Sequence, residues 1–470
     1  MNKVTSHASP VEAVTTWVHV STLMKWTRPP VGIVRAEQEY CRWLLDQSTA
    51  VVGNVRFCVY DRAAHEFVEV PRAAVVSRLG MLGRSAVATT AAKNRWKLLL
   101  KSRLRPLLAH LAPRTIVRLR AAVGRALACA GRVRAAIRAL VWRFTSAADG
   151  ARRYAVPIAF GSGDRWVSLG LDWDALDQRE LYCAKLRHRL RVTLICYDVI
   201  PALYPHLVVL PPGQFGAYFA NLAWCADAIL CISEHTRRDV EALLRRLGAP
   251  VPPTHVIRLG SEITAGEVTE HWPAHFPHTA DARPFVLFVS TIERRKNHEL
   301  LYRAWVRLRE RGVEPYRLVF VGMPGWGVGD LMHDLRLDAR VRDDIVMLDR
   351  VTDAQLATLY KGCAFTVFPS LYEGWGLPLV ESLAWGKFCL ASNAASLPEA
   401  GGSLVEYLDP WDLPAWVERL EHYMTDRQAV AEREARIARE FVAPRWADTA
   451  AAIHRVVISA GTDSPGDAAP

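Results

Sequence analysis

Residues Phe368 to Lys387 read FPSLYEGWGLPLVESLAWGK, in which we predict the end of a strand, a glycine-rich turn and the start of a helix. The apolar stretch CAFTVFPS, which begins at Cys363, is bounded by turn residues and is typical of a buried parallel strand ending near Ser370. Pro378 suits the first helical position, where its missing N–H would be unpaired anyway. A strand that runs through a tight turn into a helix is the repeating unit of α/β folds.

The same turn carries groups that suit a nucleotide sugar. Gly374 and Gly376 allow the backbone to approach a ligand closely, and the free amides of a helix start favour phosphate. Glu381 follows Glu373 by eight positions and can accept hydrogen bonds from vicinal hydroxyls. Two glutamates at this spacing occur by chance in many helices as solvated surface charges, and for the pair alone that interpretation is the stronger one.

The composition indicates two domains that keep their cysteines reduced. A chain of 470 residues with a hydrophobic fraction of 51% exceeds one ordinary core. Its nine cysteines form no CxxC pair and no Cys/His cluster with metal spacing, which predicts a cytoplasmic protein without structural zinc. The sequence has no typical signal peptide and no run of eighteen uncharged apolar residues, so we expect neither standard secretion nor a membrane span.

The net charge of +11 is concentrated in one segment. Pro71 to Ala148 contains seventeen Lys and Arg and no Asp or Glu, which leaves 42 basic and 48 acidic residues elsewhere. Its helical spacing of basic and apolar residues predicts binding to an anionic membrane surface, at about 1 kcal/mol per basic residue. A helical excursion packed on the first domain, or a poorly ordered linker, is the alternative. Nucleic acid is disfavoured because aromatic residues are sparse there.

Strand-like and helix-like runs alternate on both sides of this segment. We predict a first domain over residues 1–280, with the basic insertion at about 71–148 and a first strand near Thr15 to Leu23. A second domain follows over residues 281–445, and residues 446–470 form a final helix with a frayed tail. The predicted fold class is α/β, with two Rossmann-like doubly wound sheets that face a cleft at the carboxyl ends of their strands.

Several motifs resemble the retaining GT-B glycosyltransferases of family 4, also called glycosyl transferases group 1. In that family two glutamates separated by seven residues flank a Gly-x-Gly-Leu turn, as Glu373 and Glu381 do here. The loop STIERRKNH, Ser290 to His298, is similar to the family's GTIEPRKNH, with Arg294 in place of the proline. The resemblance covers about Trp17 to Phe67 and Val192 to Val457 but not the basic insertion.

The resemblance also implies roles for individual residues. Arg295 and Lys296 would neutralise a diphosphate leaving group without a metal, and Glu373 would hold the hydroxyls of the transferred sugar. Tyr197 stands in YDVIP where the family often has histidine, so Tyr197 and Asp198 either face the sugar or form a structural turn. The residues with implied catalytic roles are Glu373, Arg295, Lys296, Tyr197 and Asp198. Those with implied donor-binding roles are Glu381, Gly374, Gly376, Leu377, Arg350, Val351, Gly322, Gly32 and Arg35.

Some of these assignments have structural alternatives. Arg35 is equally suited to capping a helix or to an ion pair, and the turn VGMPGWG around Gly322 is mostly a matter of geometry. ISEHTRRDV, with Ser233 and Thr236, matches another family landmark, which we interpret as a helix cap.

The activity that the resemblance implies is transfer of a hexose, with mannose favoured, from a nucleotide-diphosphate sugar. A GDP-sugar is the favoured donor, with no metal or other cofactor. The implied acceptor is a growing, lipid-linked surface polysaccharide or O-antigen glycan at the inner face of the cell membrane. The alternatives are a catalytically silent scaffold of an assembly complex, and a nucleotide-sugar epimerase or sugar-phosphate phosphorylase on the same fold.

Overall fold

Short runs of β-branched and aromatic residues form two separate sheets, as the alternation of strands and helices predicts. The computed structural model describes residues 14–27, 32–84, 156–208, 214–263, 272–273, 276 and 283–460. Within Pro71 to Ala148 this includes one helix, Arg72–Arg84, and the rest of the predicted basic insertion lies outside the described residues.

Seven strands form the sheet of the first domain. They are β1 (Thr15–His19), β2 (Asn54–Asp61), β3 (Glu66–Val70), β4 (Arg165–Ser168), β5 (Arg191–Cys196), β6 (Ala228–Cys231) and β7 (Thr254–Val256). Their order is β3-β2-β1-β4-β5-β6-β7, and all neighbours are parallel except β2 and β3. The carboxyl ends of β1, β4, β5 and β6 therefore lie along one edge of the sheet.

The first domain departs from the sequence-based prediction at three strands. The first strand ends at His19 rather than Leu23, because residues Ser21–Lys25 turn into a short helix. β3 and β4 were not predicted; β3 is an antiparallel edge strand and β4 has only four residues, so neither carries a long apolar pattern.

Six parallel strands form the sheet of the second domain. They are β8 (Phe285–Val289), β9 (Arg317–Val321), β10 (Ile345–Leu348), β11 (Phe365–Phe368), β12 (Cys389–Ser392) and β13 (Glu406–Leu408), in the order β10-β9-β8-β11-β12-β13. β11 ends at Phe368, two residues before the predicted end at Ser370. β13, an edge strand of three half-buried residues, was not predicted.

Seventeen α-helices among the described residues connect the strands. They are α1 (Ser21–Lys25), α2 (Ile33–Asp46), α3 (Thr49–Val52), α4 (Arg72–Arg84), α5 (Asp172–Ala175), α6 (Gln178–His188), α7 (Ile200–Leu203), α8 (Gln214–Cys225), α9 (Glu234–Arg246), α10 (His298–Glu310), α11 (Gly329–Leu337), α12 (Asp353–Gly362), α13 (Leu377–Ala384), α14 (Leu397–Gly401), α15 (Leu413–Thr425), α16 (Arg427–Glu440) and α17 (Trp446–Ser459). In the described part of the chain, none combines the length and the apolarity needed to cross a bilayer.

The last helix, α17, lies against the first domain. The Tyr40 hydroxyl of α2 is 3.3 Å from Nδ1 of His454, and Thr449 Oγ1 donates a hydrogen bond of 2.7 Å to Arg258 O. Gly260 passes so close to the start of α17 that an added Cβ would lie 2.5 Å from Trp446 N. The chain thus returns to the first domain after completing the second.

Candidate functional site

Three loops that follow parallel strands meet between the domains. The loops after β8 and β11 belong to the second sheet, and the loop after β5 belongs to the first. The loops after β11 and β5 pass close together at Gly374, where an added Cβ would lie 2.1 Å from the Tyr197 carbonyl oxygen and 3.2 Å from Asp198 Cβ. Only glycine allows the two backbones to lie this close.

Glu373 lies at the centre of this meeting point. Its carboxylate accepts a hydrogen bond of 2.8 Å from Arg295 Nη1 and one of 2.6 Å from Lys296 Nζ. The short 3₁₀ helix Arg294–Lys296 places both cations on the same carboxylate. Burial alone would raise the pKa of Glu373, but the charges of Arg295 and Lys296 outweigh it and lower this pKa to about 2. Glu373 is therefore an anion over the physiological pH range.

Two further carboxyl groups surround this ion-paired cluster. Burial raises the pKa of both Asp198 and Glu293, and the positive charge of Arg295 opposes that effect in each case. Burial, followed by the nearby charge of Arg295, lowers the pKa of Lys296. A guanidinium has five N–H donors and an ammonium three, so both cations keep donors for an incoming anion. Within the described residues, no group of three or more His, Cys, Asp or Glu side chains is arranged to hold a metal ion.

Glu381 belongs to a second cluster that also joins the domains. The Tyr360 hydroxyl donates to Glu381 Oε2 at 3.1 Å, and Arg35 of the first domain donates to Asp353 Oδ2 at 2.8 Å. Burial raises the pKa of Glu381, while the positive charge of Arg35 opposes this rise. Arg35 therefore lies close to Glu381 and makes the ion pair that was one of its two predicted structural roles.

Helix α13 begins as the glycine turn predicts, one residue earlier than expected. Gly376 is the N-cap with φ of +101°, a left-handed conformation that favours glycine. Leu377 is the first helical residue, so Pro378 occupies the second position rather than the first. Both positions precede the first intrahelical N–H donors, which explains why proline is accepted there.

The other predicted site residues make contacts outside the Glu373 cluster. The Tyr197 hydroxyl donates to Leu169 O at 2.7 Å, so the Tyr197 backbone, and not its hydroxyl, meets the loop after β11 that carries Glu373. Gly322 follows β9 and donates its N–H to Leu348 O at 2.9 Å. Arg350 is exposed beside Asp349, Val351 is half-buried, and Gly32 is the N-cap of α2.

Asp353 and Tyr360 were not identified from the sequence. Thr352 and Gln355 form a capping box at the start of α12, and this pattern is visible in the sequence TDAQ. The box would have placed Asp353 in the first turn of a helix after β10, at the carboxyl edge of the sheet. Tyr360 carries no comparable signal, because its contact with Glu381 depends on how α12 packs against α13.

Acid should destabilise the second domain through His298, the first residue of α10. His298 is 1% exposed, and burial, followed by the charge of Lys296, lowers its pKa to about 3. In the unfolded state the His298 imidazole binds a proton below about pH 6.5, and in the folded state it binds one only near pH 3. The free energy of unfolding therefore falls as the pH drops from about 6.5 towards 3. We expect this residue to account for a loss of about 2 kcal/mol between pH 6.5 and 5.

Urea unfolding at several pH values would check this expectation against a His298→Gln variant. The difference in free energy of unfolding between the two proteins should change over that interval. Parallel pH curves for both proteins would contradict it.

Comparisons with known proteins match the domain that carries Glu373, Arg295 and Lys296 to a described family. Residues 272–440 match the family described as Glycosyl transferases group 1. Serotype-specific mannosyltransferase WbdA of Escherichia coli is 28% identical over 270 residues, which cover 55% of this chain and 32% of that protein. O-antigen chain mannosyltransferase B of Escherichia coli is 29% identical over 190 residues, which cover 40% of this chain and 49% of that protein. The matched segments thus span less than half of these relatives' length.

A solved structure shares the fold over nearly the whole chain. Sucrose-phosphate synthase from Thermosynechococcus elongatus superposes with a TM-score of 0.53 at 14% identity, and the match covers 96% of this chain and 99% of that one. The predicted GT-B fold, with two Rossmann-like parallel sheets, is confirmed.

Proposed function

Because residues 272–440 are a glycosyl transferases group 1 domain, we propose that the chain is a retaining glycosyltransferase that uses a nucleotide-diphosphate sugar. The observation that carries the proposal is the carboxylate of Glu373. Arg295 and Lys296 hold it at 2.8 and 2.6 Å, directly before the glycine at which the two domains touch. A fixed anion beside two cations, at the carboxyl edges of two parallel sheets, suits a sugar joined to a diphosphate.

In the proposed reaction, the bond between the sugar's anomeric carbon and the diphosphate oxygen breaks. The acceptor oxygen bonds to the same face of that carbon, and its proton passes to the leaving diphosphate. The unused N–H donors of Arg295 and Lys296, with the first amides of α13, stabilise the charge that develops on the diphosphate. Glu373 holds the hydroxyls of the transferred sugar.

Glu381 and Arg35 suit the nucleoside end of the donor. Glu381 is anchored at one oxygen by Tyr360, and we assign its carboxylate to the ribose hydroxyls. Arg35 approaches from the first domain and pairs with Asp353, so it closes the cleft over the same end. The backbone at Arg350 and Val351 is assigned to the base, and the turns at Gly322 and Gly32 to the phosphates.

The names of the relatives favour mannose as the sugar and an O-antigen glycan as the acceptor. GDP as the nucleotide rests on the resemblance of the STIERRKNH and YDVIP motifs alone. A lipid-linked acceptor would place the protein at the inner face of the membrane, through the basic segment 71–148. Apart from Arg72–Arg84, that segment lies outside the described residues. Co-sedimentation with anionic liposomes, compared between the chain with and without Pro71 to Ala148, tests this part separately, and equal sedimentation would remove it.

A silent scaffold is the alternative from another class, and an epimerase or phosphorylase is the alternative on the same fold. The paired Glu373 and the buried Glu381 favour a chain that binds a donor. Buried ionisable groups cost stability, and they are therefore concentrated at functional sites. A donor-binding experiment distinguishes the transferase from the silent scaffold. A test for a transferred sugar distinguishes it from the epimerase and the phosphorylase.

We expect one nucleoside diphosphate, GDP, to raise the melting temperature of the protein more than UDP, dTDP or ADP does. A ligand at about 100 times its Kd adds about 2.7 kcal/mol to the stability of the folded state. In Glu381→Gln the shift should shrink, because the neutral amide accepts ribose hydroxyls more weakly. The matched control is Glu418→Gln, an exposed residue of α15 that should leave the shift unchanged.

The donor assay has two outcomes that would change the interpretation. No shift with any nucleotide in well-folded protein would favour the scaffold. An equal shift in wild type and Glu381→Gln would remove the ribose assignment while leaving donor binding in place.

A further inference from the structure

Helix α9 of the first domain contacts the loop that carries Glu373. Thr236, which is 1% exposed in the first turn of α9, has its hydroxyl oxygen 3.2 Å from the carbonyl oxygen of Gly374 and 3.4 Å from that of Tyr197. A hydroxyl has one proton, so Thr236 donates to one of these carbonyls at a time. Either way it lies between the strand-end turn of one domain and the Glu373 loop of the other.

Residues 369–376, between β11 and α13, are called the donor loop here. Three successive carbonyls of this loop are held by three different parts of the chain. Arg295 Nη1 donates to Tyr372 O at 2.9 Å, and Ser396 Oγ donates to Glu373 O at 2.8 Å. Both donors belong to the second domain. Thr236 supplies the third bond, to Gly374 O, from the first domain. The position of the Glu373 backbone therefore depends on how α9 is docked.

A second contact fixes α9 on the same surface. Glu399 of α14 accepts hydrogen bonds from the backbone N–H of Glu234 at 2.9 Å and of His235 at 3.3 Å. A carboxylate at the first amides of a helix satisfies donors that have no intrahelical partner and interacts favourably with the helix dipole. Glu399 follows Ser396 by three positions, so one short turn holds Glu373 and also caps α9.

A side-chain contact adds a third link to the same helix. The Tyr372 hydroxyl donates to the carboxylate of Asp239, one turn further along α9. The ring of Tyr372 also lies against those of Tyr204 and His235, with centroid distances of 5.1 and 5.5 Å. The donor loop and α9 are thus joined by backbone, side-chain and helix-cap contacts.

We propose that Thr236 and Glu399 are positioning residues, which couple the docking of α9 to the placement of Glu373. Neither residue touches the reacting atoms in the reaction proposed above, on which this inference rests for its catalytic consequence. Thr236 acts through the Gly374 carbonyl, and Glu399 acts through the first turn of α9. Because a displacement of about 1 Å at a catalytic group can cost about 100-fold in rate, such coupling makes transfer depend on closed domains.

Hydrogen exchange of the full chain without substrate tests the coupling directly. In Thr236→Val and Glu399→Ala, we expect amides of residues 371–376 and of Glu234 and His235 to exchange about tenfold faster, as the loss of one buried hydrogen bond predicts. Thr236→Ser should restore slow exchange, since it keeps the hydroxyl. Glu418→Ala is the matched control and should change neither segment.

The exchange result separates this inference from the proposed function. Unchanged exchange at residues 371–376 in folded Thr236→Val and Glu399→Ala would overturn the coupling, whether or not the chain binds a nucleotide. Once a donor is identified, Thr236→Val should lower kcat about tenfold with little change in the donor KM, and Thr236→Ser should recover it. A change in KM alone would overturn the positioning role.

Discussion

Replacing Gly374 by alanine is expected to part the two domains at the donor loop and to reduce transfer by about 100-fold or more. The added Cβ would lie 2.1 Å from the Tyr197 carbonyl oxygen, a distance at which something must shift. The atom at 2.1 Å is a backbone oxygen, and the Asp198 Cβ at 3.2 Å is fixed to its own backbone, so no side-chain rotation can make room. The hydrogen bond from Thr236 to the Gly374 carbonyl would be lost with the same movement.

The measurement combines the rate of sugar transfer with small-angle X-ray scattering of the free protein. The radius of gyration should increase in Gly374→Ala if the domains move apart. Gly329→Ala is the matched control, because nothing lies within 4 Å of a Cβ built on Gly329 and its φ is not in the left-handed region. Wild-type activity together with unchanged scattering in Gly374→Ala would show that this contact is dispensable.

Replacing Glu373 by glutamine is expected to abolish transfer and to destabilise the second domain by about 3 kcal/mol. The side chains of Arg295 and Lys296 are only 16% and 12% exposed, and both place a donor on this carboxylate. The amide has one acceptor oxygen and no charge, so Lys296 would lose its hydrogen-bonded counterion and Arg295 would keep the Glu293 carboxylate at 3.7 Å as its ion-pair partner. The donor loop would lose one of its anchors as well as its anion.

Urea unfolding of Glu373→Gln and of the exposed control Glu418→Gln measures the expected loss in the free energy of unfolding. The double variant Glu373→Gln with Lys296→Met should recover part of the lost stability, because one unpaired cation is removed with it. It should not recover transfer. Full stability in Glu373→Gln would mean that the two cations find other partners, and retained transfer would remove Glu373 from the reaction.

Local patterns in the sequence predicted most of the second domain. The apolar run that ends at Phe368, the turn with Gly376 and a helix that begins within one residue of Pro378 all follow from residue type and spacing. The motif that contains Arg295 and Lys296 correctly indicated that both cations lie near Glu373. Short edge strands such as β3 and β13 were missed because three to five residues are too few to show a period.

Contacts between the domains could not be predicted in the same way. Arg35 and Asp353 are 318 positions apart, and Thr236 and Gly374 are 138 apart, so no local spacing links them. The sequence predicted Thr236 only as part of a helix cap, which the structure bears out through the hydrogen bond from its N–H to Ser233 Oγ. That its hydroxyl also meets the other domain depends on how the two finished sheets pack together.

The return of α17 to α2 has a consequence for the order in which this protein matures during translation. The chain crosses between the domains twice, so the second domain is inserted into the covalent path of the first. Helix α2 exposes the face that includes Tyr40 and Trp43 until residues of α17 such as His454 leave the ribosome. The first domain, although made first, is therefore expected to finish folding last, and a ribosome stalled within α16 would hold a nascent chain open to proteases and chaperones.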